Sequence, residues 1–221
     1  MQRIFFIGDI HGCSKTFRKM ITDKIGVRKT DVIYCIGDYI DRGNDSKGVI
    51  DFILELRKND FEIHTLRGNH EQMLLDAAGN GYSSDLWMYN GGHSTLESFN
   101  AGSADQLDPV YLDFFRSTKH YVISDDFIAV HAGLDFSAED PFGEKEAMLW
   151  IRDFSVDRSF MKGRLLIHGH TPIGRYLVVS QRFDDSLNID GGCVYKDTPG
   201  MGSLFALNFY EQKFIEVRNI D

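Results

Sequence analysis

The chain contains 221 residues, 43% of them hydrophobic and 26% charged, which is ordinary for a globular protein long enough to bury a core. The formal net charge of −9 argues against a protein that grips DNA or RNA through their phosphates, because such binding needs a positive surface. It leaves phosphate-bearing substrates open, since bound metal cations can reverse the local field.

The cysteines Cys13, Cys35 and Cys193 are widely spaced in the sequence and form no C-x-x-C motif. They predict neither a disulfide framework nor a thiolate zinc site. No apolar run approaches the length of a membrane span, and the first residues lack a signal-peptide pattern. We therefore expect a cytoplasmic protein that has no membrane partner and binds no nucleic acid stably.

The N-terminal half alternates short apolar runs with amphipathic segments. Strands are predicted over residues 3–7, 31–36 and 61–66, and helices over residues 14–21, 46–56 and 70–78. This alternation, with short connections, predicts βαβ units and a largely parallel sheet.

The remainder of the chain changes from helical to strand-rich. Residues 80–117 are polar and helical in character, with a helix start predicted at Ser94 or Thr95. Strands are predicted over residues 121–124, 127–131, 164–168, 177–179, 187–189 and 204–209. Because we find no repeat, low-complexity tract or break in composition, we expect residues 1–221 to form one domain.

Five of the predicted strands end in side chains that can bind metals. The sequences are G-D-I-H-G (8–12), G-D-Y-I-D-R-G (37–43), G-N-H-E (68–71), H-A-G (131–133) and I-H-G-H (167–170). In open α/β sheets ligands bind beyond the carboxyl ends of strands, so these turns are predicted to converge on one crevice. One such motif alone is also typical of an ordinary turn, but five at strand ends favour a binding site.

The residue types in these turns predict two divalent metal ions. Aspartate, asparagine and histidine combine hard oxygen with imidazole nitrogen, a mixture that favours manganese, iron or zinc over calcium. We expect manganese, with iron or zinc as alternatives.

In this order and at these intervals, G-D-x-H-G, G-D-x-x-D-R-G and G-N-H-E resemble the signature of the PPP family of metallophosphoesterases, within the calcineurin-like phosphoesterase superfamily. That family contains eukaryotic Ser/Thr protein phosphatases, the phage-lambda phosphatase and symmetrical dinucleoside tetraphosphate hydrolases. The resemblance continues through H-A-G, W-I-R and G-H-T-P and covers most of the chain. It implies a four-layer α/β (α+β) fold: a central β-sandwich flanked by helices, with a dimetal site at the sheet edge.

The resemblance also implies the metal ligands. Asp9 and His11 would bind the first metal, and Asp38 would bridge to the second. The second metal would be held further by Asn69, His131 and His170. A hydroxide held between the metals would attack the phosphorus in line. His168 matches no ligand position, and a packing or hydrogen-bonding role is expected for it.

Further residues of the motifs would act on the substrate. By the same resemblance, His70 would protonate the leaving oxygen, with Asp41 orienting its imidazole. Arg42 and Arg152 would hold the phosphoryl oxygens, which match the guanidinium fork. For Arg152 a surface salt bridge with Asp153 is the alternative. Arg67 and Glu71 are expected to be charge partners that shape the loop.

The motifs predict the reaction more closely than the substrate. The I-D-G-G-C-V-Y segment (189–195) is similar to the bacterial and phage branch of the family. The leading hypothesis is a phosphatase acting on phosphoserine or phosphothreonine in proteins. The alternative is a hydrolase of dinucleoside polyphosphates or RNA-end pyrophosphates. A third hypothesis is a catalytically silent protein that sequesters phosphoproteins. The sequence leaves the oligomeric state and the role of residues 80–117 open.

Overall fold

A computed structural model describes residues 2–80 and 84–221 of the chain. Its strands are β1 (Ile4–Ile7), β2 (Val32–Cys35), β3 (Glu62–Thr65), β4 (Tyr121–Ile123), β5 (Phe127–Val130), β6 (Leu165–His168), β7 (Ser186–Asn188), β8 (Ser203–Asn208) and β9 (Lys213–Arg218). Its helices are α1 (Ser14–Lys19), α2 (Ser46–Lys58), α3 (Asn69–Asn80), α4 (Ser84–Tyr89), α5 (Gly92–Phe99), α6 (Pro109–Ser117), α7 (Lys145–Trp150), α8 (Arg158–Met161) and α9 (Arg175–Ser180). A π-helical segment, Met20–Ile25, continues α1.

The strands form two mixed sheets. The first has the order β3-β2-β1-β8-β9, and the second has the order β4-β5-β6-β7. Strands β1, β2 and β3 are parallel, as are β5, β6 and β7, whereas β4, β8 and β9 join by antiparallel pairing. The predicted parallel sheet is therefore limited to three neighbouring strands in each sheet. All six of these strands precede connections that can carry functional side chains.

The two sheets pack face to face and bury a shared core. Phe6 of β1 points into this core, where its ring meets that of Phe127 edge-on at 4.8 Å between centroids. Its neighbours Phe5 and Ile7 point to the opposite face and pack under the helices of the N-terminal half, as the period of two along a strand requires. On the outer face of the second sheet, a separate cluster includes Met148 of α7. The layers are thus helices, sheet, sheet and helices, which confirms the predicted four-layer sandwich.

Three local predictions are wrong or incomplete. Residues 177–179 form part of helix α9 and not a strand; of the three side chains only Val178 is buried, which is the pattern of a helix lying on a surface. Helix α5 begins at Gly92, before the predicted Ser94 or Thr95, because Gly91 adopts a left-handed conformation (φ 105°) that turns the chain into the helix. Strand β9 was not predicted.

Across residues 2–80 and 84–221, none of the helices combines the length and the apolar character needed to cross a bilayer.

Candidate active site

The five motif turns meet at one edge of the sandwich, beyond the carboxyl ends of β1, β2, β3, β5 and β6. The backbone N–H of His170 donates to Asp9 Oδ2 at 3.0 Å, which joins the two sheets. Asn69 Oδ1 lies 3.0 Å from His131 Nε2 and 3.0 Å from His170 Nδ1. Side chains far apart in sequence thus come within hydrogen-bonding distance, as the topology predicts.

The backbone of this edge is locally strained. His11, Asp38, Asp41, Arg42 and His170 all have positive φ values, between 44° and 71°. This left-handed conformation costs a non-glycine residue about 1–2 kcal/mol. Such residues persist only where surrounding contacts hold them, and they concentrate at functional sites.

Glu71, in the first turn of α3, supplies much of that support. Its completely buried carboxylate accepts hydrogen bonds from the backbone N–H groups of Asp38 (2.9 Å), Tyr39 (2.8 Å) and Gly68 (2.9 Å). Burial, followed by the charge of Asp38, raises the pKa of Glu71 to about 8. The carboxylate therefore fixes the two loops that carry Asp38 and Asn69.

Arg67 does not form the ion pair with Glu71 that the sequence suggested. Its guanidinium donates to Thr118 Oγ1 at 3.0 Å, to Gln72 Oε1 at 3.0 Å and to the carbonyl of Arg116 at 2.9 Å. Arg67 thus ties the end of β3 to the end of α6, and Glu71 shapes the loop without it.

The proposed ligands of the second metal face one another with lone pairs. His131 Nδ1 donates to the carbonyl of Ile36 at 3.0 Å, so its Nε2 carries a lone pair. This Nε2 lies 3.0 Å from Asn69 Oδ1 and 3.4 Å from Asp38 Oδ1, both of which are acceptors. Together with His170, the donor atoms of Asp38 and His131 lie within 4.8 Å of one another. Acceptors converge in this way where a cation binds.

The donors around the proposed first metal are arranged differently. His11 Nδ1 donates to the carbonyl of Ile40 at 2.8 Å, so its Nε2 is an acceptor; this Nε2 lies 3.4 Å from Asp38 Oδ2 and accepts from Arg42 Nη1 at 2.6 Å. The group of donor atoms within 4.8 Å here consists of His11, Asp38 and His70. Asp9 belongs to neither compact group, although its buried side chain lies at the same edge.

Orphaned polar atoms test whether this donor set fits metal ions. Among the proposed ligands, Asp9 Oδ1 and His170 Nε2 are buried and have no hydrogen-bond partner within the part of the chain that the structure describes; outside the proposed ligands the same holds for His120 Nδ1 and His168 Nδ1. Leaving a buried polar atom unsatisfied costs about 1–3 kcal/mol. The Asp9 and His170 atoms belong to proposed ligands, and a divalent cation beside each would satisfy them. The residues present therefore fit two divalent metals.

The protonation states of His11, His170 and Asp38 also fit, whereas burial, followed by the charge of Asp190, raises the pKa of Asp9 well above its ordinary value while no cation is bound. Burial, followed by the charge of Arg42, lowers the pKa of His11 well below its ordinary value. Burial, followed by His131, lowers the pKa of His170 to about 3. Burial would raise the pKa of Asp38, but the surrounding histidines, His131 foremost, bring it below its usual range. Neutral imidazole and ionised carboxylate are the forms that bind metals.

His70 and Asp41 form a buried dyad. His70 Nδ1 lies 2.6 Å from Asp41 Oδ2, and His70 Nε2 lies 4.0 Å from Asp38 Oδ2. Burial lowers the pKa of His70, but the carboxylates of Asp38 and Asp41 outweigh burial and raise that pKa above its ordinary value. A histidine that retains its proton and presents Nε2 to the site can act as an acid.

Two residues that were not predicted from the sequence donate hydrogen bonds to the Asp41 carboxylate of this dyad. Trp87 Nε1 donates to Asp41 Oδ2 at 2.9 Å, and Thr95 Oγ1 donates to Asp41 Oδ1 at 2.6 Å. His93, which lies between them in the sequence, is exposed.

The two arginines differ in burial. Arg42 is half-buried; its Nη1 lies 2.6 Å from His11 Nε2, and its guanidinium lies over the ring of Tyr195. Arg152 is exposed, and its Nη1 lies 3.5 Å from Thr171 Oγ1. Among the ion pairs of the described residues there is none between Arg152 and Asp153, so Arg152 is available to a ligand at the edge.

Asp190 was not predicted from the sequence. It follows β7, is 4% exposed, and its Oδ1 accepts from Gly192 N at 2.9 Å. Burial raises the pKa of Asp190 to about 7. Burial, followed by the charge of Asp190, raises the pKa of Asp9 well above its ordinary value. The sequence I-D-G-G follows a strand, as the other motif turns do, and this pattern could have identified Asp190.

Comparison with known proteins places these observations in a family. The chain is 35% identical to "Serine/threonine-protein phosphatase 1" of Salmonella typhimurium over 108 residues, 48% of this chain and 47% of the relative. It is 34% identical to "Bis(5'-nucleosyl)-tetraphosphatase, symmetrical" of Nitrosospira multiformis over 134 residues, 59% of this chain and 43% of the relative. The chain thus spans less than half the length of these two curated relatives.

A solved protein serine/threonine phosphatase from Saccharomyces cerevisiae shares the fold, with a TM-score of 0.67 and 16% identity across 100% of this chain and 81% of that chain. The family model described as calcineurin-like phosphoesterase matches residues 2–201, nearly the whole sequence. The chain therefore belongs to the calcineurin-like phosphoesterase family.

Proposed function

We propose that the protein is a metal-dependent phosphoric ester hydrolase that acts on phosphoserine and phosphothreonine in proteins. The observation that carries this proposal is the convergence of lone-pair donors around Asp38, next to the His70–Asp41 dyad. Arg42 and Arg152 add positive charge at the same edge, which a phosphoryl group requires. The Salmonella relative named as a serine/threonine phosphatase supports this substrate class.

Two metal ions would be held by Asp9, His11, Asp38, Asn69, His131 and His170. When bound, they would lower the pKa of water and stabilise the attacking and leaving oxygens of an in-line displacement. Manganese is the proposed metal, supported by the mixture of oxygen and imidazole donors.

The chain's own residues would perform the remaining steps. His70 Nδ1 is engaged by Asp41, so the proton for the leaving oxygen would come from Nε2, which faces Asp38. Arg42 and Arg152 would bind the nonbridging phosphoryl oxygens and stabilise their charge as the ester bond breaks. Glu71 would hold the loops in position during the reaction, because it accepts hydrogen bonds from their backbone N–H groups.

We also propose one catalytic domain over residues 1–221 and a cytoplasmic location. The pairing of β1 with β8 supports the first, since it joins the two ends of the chain. The free, buried state of Cys13, Cys35 and Cys193 supports the second, because disulfides are rare in reducing compartments.

The second candidate is a hydrolase of dinucleoside polyphosphates, favoured by the Nitrosospira relative. Incubation with Mn²⁺ and either a phosphopeptide panel or diadenosine tetraphosphate separates the two candidates. We expect kcat/KM to be at least about tenfold higher for the best phosphopeptide, a difference of about 1.4 kcal/mol in transition-state stabilisation. The opposite preference would replace the phosphoprotein assignment by the nucleotide one.

A further assay, with p-nitrophenyl phosphate as the substrate and with the bound metal measured, tests the hypothesis of a catalytically silent protein. If two metals bind and p-nitrophenyl phosphate is not hydrolysed, the chain is a binding protein and not an enzyme.

A further inference from the structure

Helices α4 and α5 contact the loop that carries Asp41 and Arg42. Trp87 of α4 and Thr95 of α5 are completely buried. Between them, the carbonyl of Gly91 accepts a hydrogen bond from Arg42 N at 3.4 Å. A side chain on Gly92 would collide with the indole of Trp87, so this glycine allows the tryptophan to reach the loop.

The hydrogen bonds around Asp41 have a single consistent direction. Trp87 Nε1 can only donate, and it lies 2.9 Å from Oδ2, the oxygen that also faces His70 Nδ1. Thr95 Oγ1 donates its one hydrogen to Oδ1 at 2.6 Å and accepts from the backbone N–H of Asp41 at 2.9 Å. Two donors of known direction thus converge on one carboxylate, which accepts a hydrogen bond from each.

This arrangement determines the orientation of His70. Because Trp87 and Thr95 each donate to the Asp41 carboxylate, the 2.6 Å contact to His70 Nδ1 is assigned to the imidazole as donor, and the ring is held with Nε2 towards Asp38. The two contacts to Thr95 also hold the left-handed backbone of Asp41 (φ 71°). The orientation of the His70 imidazole therefore depends on Trp87 and Thr95, which lie 46 and 54 positions after Asp41 in the sequence.

We propose that Trp87 and Thr95 are positioning residues for proton transfer: they fix the Asp41 carboxylate and, through it, the His70 imidazole that protonates the leaving group. This inference rests on the proposed function, in which His70 supplies that proton. It assigns a role to part of the segment, residues 80–117, whose role the sequence left open.

Thr95→Val, which keeps the shape and removes the hydroxyl, tests the proposal on two aryl phosphates with Mn²⁺. Phenyl phosphate has a poor leaving group that needs a proton, whereas p-nitrophenolate leaves readily without one. We expect kcat to fall about tenfold or more for phenyl phosphate, within the range typical of residues that orient a functional group, and less than about threefold for p-nitrophenyl phosphate. KM and the number of bound Mn²⁺ ions are expected to remain unchanged.

Two further variants sharpen this test. Thr95→Ser restores the hydroxyl and is expected to recover activity to within about threefold of the original protein. Trp87→Phe removes one N–H and keeps a ring in place, and it is expected to show the same dependence on the leaving group. Equal losses on both substrates, in both Thr95→Val and Trp87→Phe, would mean that the residues support the fold alone and would overturn the proposal.

Thr16→Val is the matched control. Thr16 is also completely buried, and its hydroxyl donates to Asp221 Oδ2 at the same 2.6 Å. The hydrogen bonds of its hydroxyl are to Asp221 and Ile220 and to none of the proposed site residues, so its replacement should lower stability without any dependence on the leaving group. The same dependence in Thr16→Val would contradict a specific role for Thr95.

His70→Asn, compared with the original protein, separates failure of this inference from failure of the proposed function. On its own it is expected to keep metal and lose about 100-fold or more in kcat on phenyl phosphate. Added to it, Thr95→Val should cost less than about twofold, because the residue acts through His70. Absence of Mn²⁺-dependent hydrolysis by the original protein contradicts the proposed function, whereas a fully active His70→Asn contradicts the role of His70 as the acid and, with it, the positioning role. A full further loss in the double variant contradicts the positioning role alone.

Discussion

His168 and His170 lie two positions apart, yet their imidazoles have different environments. His170 has left the strand in a left-handed conformation (φ 67°), and its Nδ1 lies 3.0 Å from Asn69 Oδ1. His168 ends β6, and its ring meets that of Phe154 at 5.2 Å between centroids. Burial lowers the pKa of His168 to about 4, so the ring stays neutral and packs.

These environments predict different effects of alanine substitution. His170→Ala should lose one of two bound Mn²⁺ ions, because it removes a donor from the group around Asp38. His168→Ala should keep both ions and lose about 2–3 kcal/mol of stability through lost packing. Metal content after dialysis, measured by elemental analysis, and urea unfolding distinguish the two effects. Loss of metal in His168→Ala and not in His170→Ala would reverse the ligand assignment.

At the residue scale, the sequence predicts best where chemistry and chain position coincide. His131 directly follows β5 and Asp38 lies three residues after β2, so motif and topology identify them together. Trp87 and Thr95 escaped prediction because their role consists of hydrogen bonds to Asp41, which nothing in the local sequence indicates. Asp190 follows a strand in the same way as Asp38, but it was included in no predicted site.

At the scale of elements, α3 joins catalysis to structure within its first turn. Asn69 and His70 face the site, while Glu71 turns inward and accepts hydrogen bonds from backbone N–H groups of two loops. Three successive residues can serve three purposes because they project about 100° apart around the helix axis. A short helix start thus holds a proposed ligand, a proposed acid and the group that supports them.

Glu71→Gln should be strongly destabilising. The amide places an N–H₂ group against backbone N–H donors, which leaves buried donors unsatisfied at about 1–3 kcal/mol each. We expect the free energy of unfolding in urea to fall by about 2–4 kcal/mol. Glu146→Gln is the control, because Glu146 is exposed on α7 and should change stability by less than about 0.5 kcal/mol. Equal effects of the two substitutions would contradict the role assigned to Glu71.

The errors at this scale have physical causes. Leu177, Val178 and Val179 have high strand propensity, but α9 lies on the surface with one face buried, and tertiary packing overrides propensity. The start of α5 depends on Gly91, whose left-handed φ no pattern of side chains reveals. By contrast α2 was predicted to begin at Ser46, where it does begin, because Asp45 caps it and its apolar residues have helical spacing.

At the scale of the whole molecule, the proposed site gathers acidic side chains inside a folded chain, where burial raises the pKa of Glu71 to about 8 and that of Asp190 to about 7. Asp9, Asp38, Asp41, Glu71 and Asp190 are each at most 4% exposed and lie near one edge of the sandwich. Carboxylates brought together in this way repel one another, and cations offset that repulsion. The four-layer architecture could be predicted from family resemblance, but this concentration of acidic side chains becomes visible only when the turns are placed together.

Metal binding should therefore stabilise the protein markedly. At a free Mn²⁺ concentration of about 100 times Kd, binding at one site contributes about 2.7 kcal/mol, which corresponds to a rise of about 5–10 °C in Tm for a chain of this size. Thermal unfolding with Mn²⁺ and with EDTA measures this difference. The rise should be smaller in His170→Ala. An unchanged Tm at saturating Mn²⁺ would contradict the assignment of Asp9 and Asp38 to a metal site.

The hydrogen bond between His170 and Asp9 also has a consequence for folding, because it joins residues 161 positions apart. In a chain that has formed only β1–β3, Asp38 and Asn69 are in place, but His131 and His170 are not, because both follow strands of the second sheet. The proposed second metal thus finds its full set of donors only after the two sheets meet. Contacts of such long range form late. Uptake of that ion would then mark a chain whose assembly is finished, and partly folded chains would remain both metal-poor and inactive.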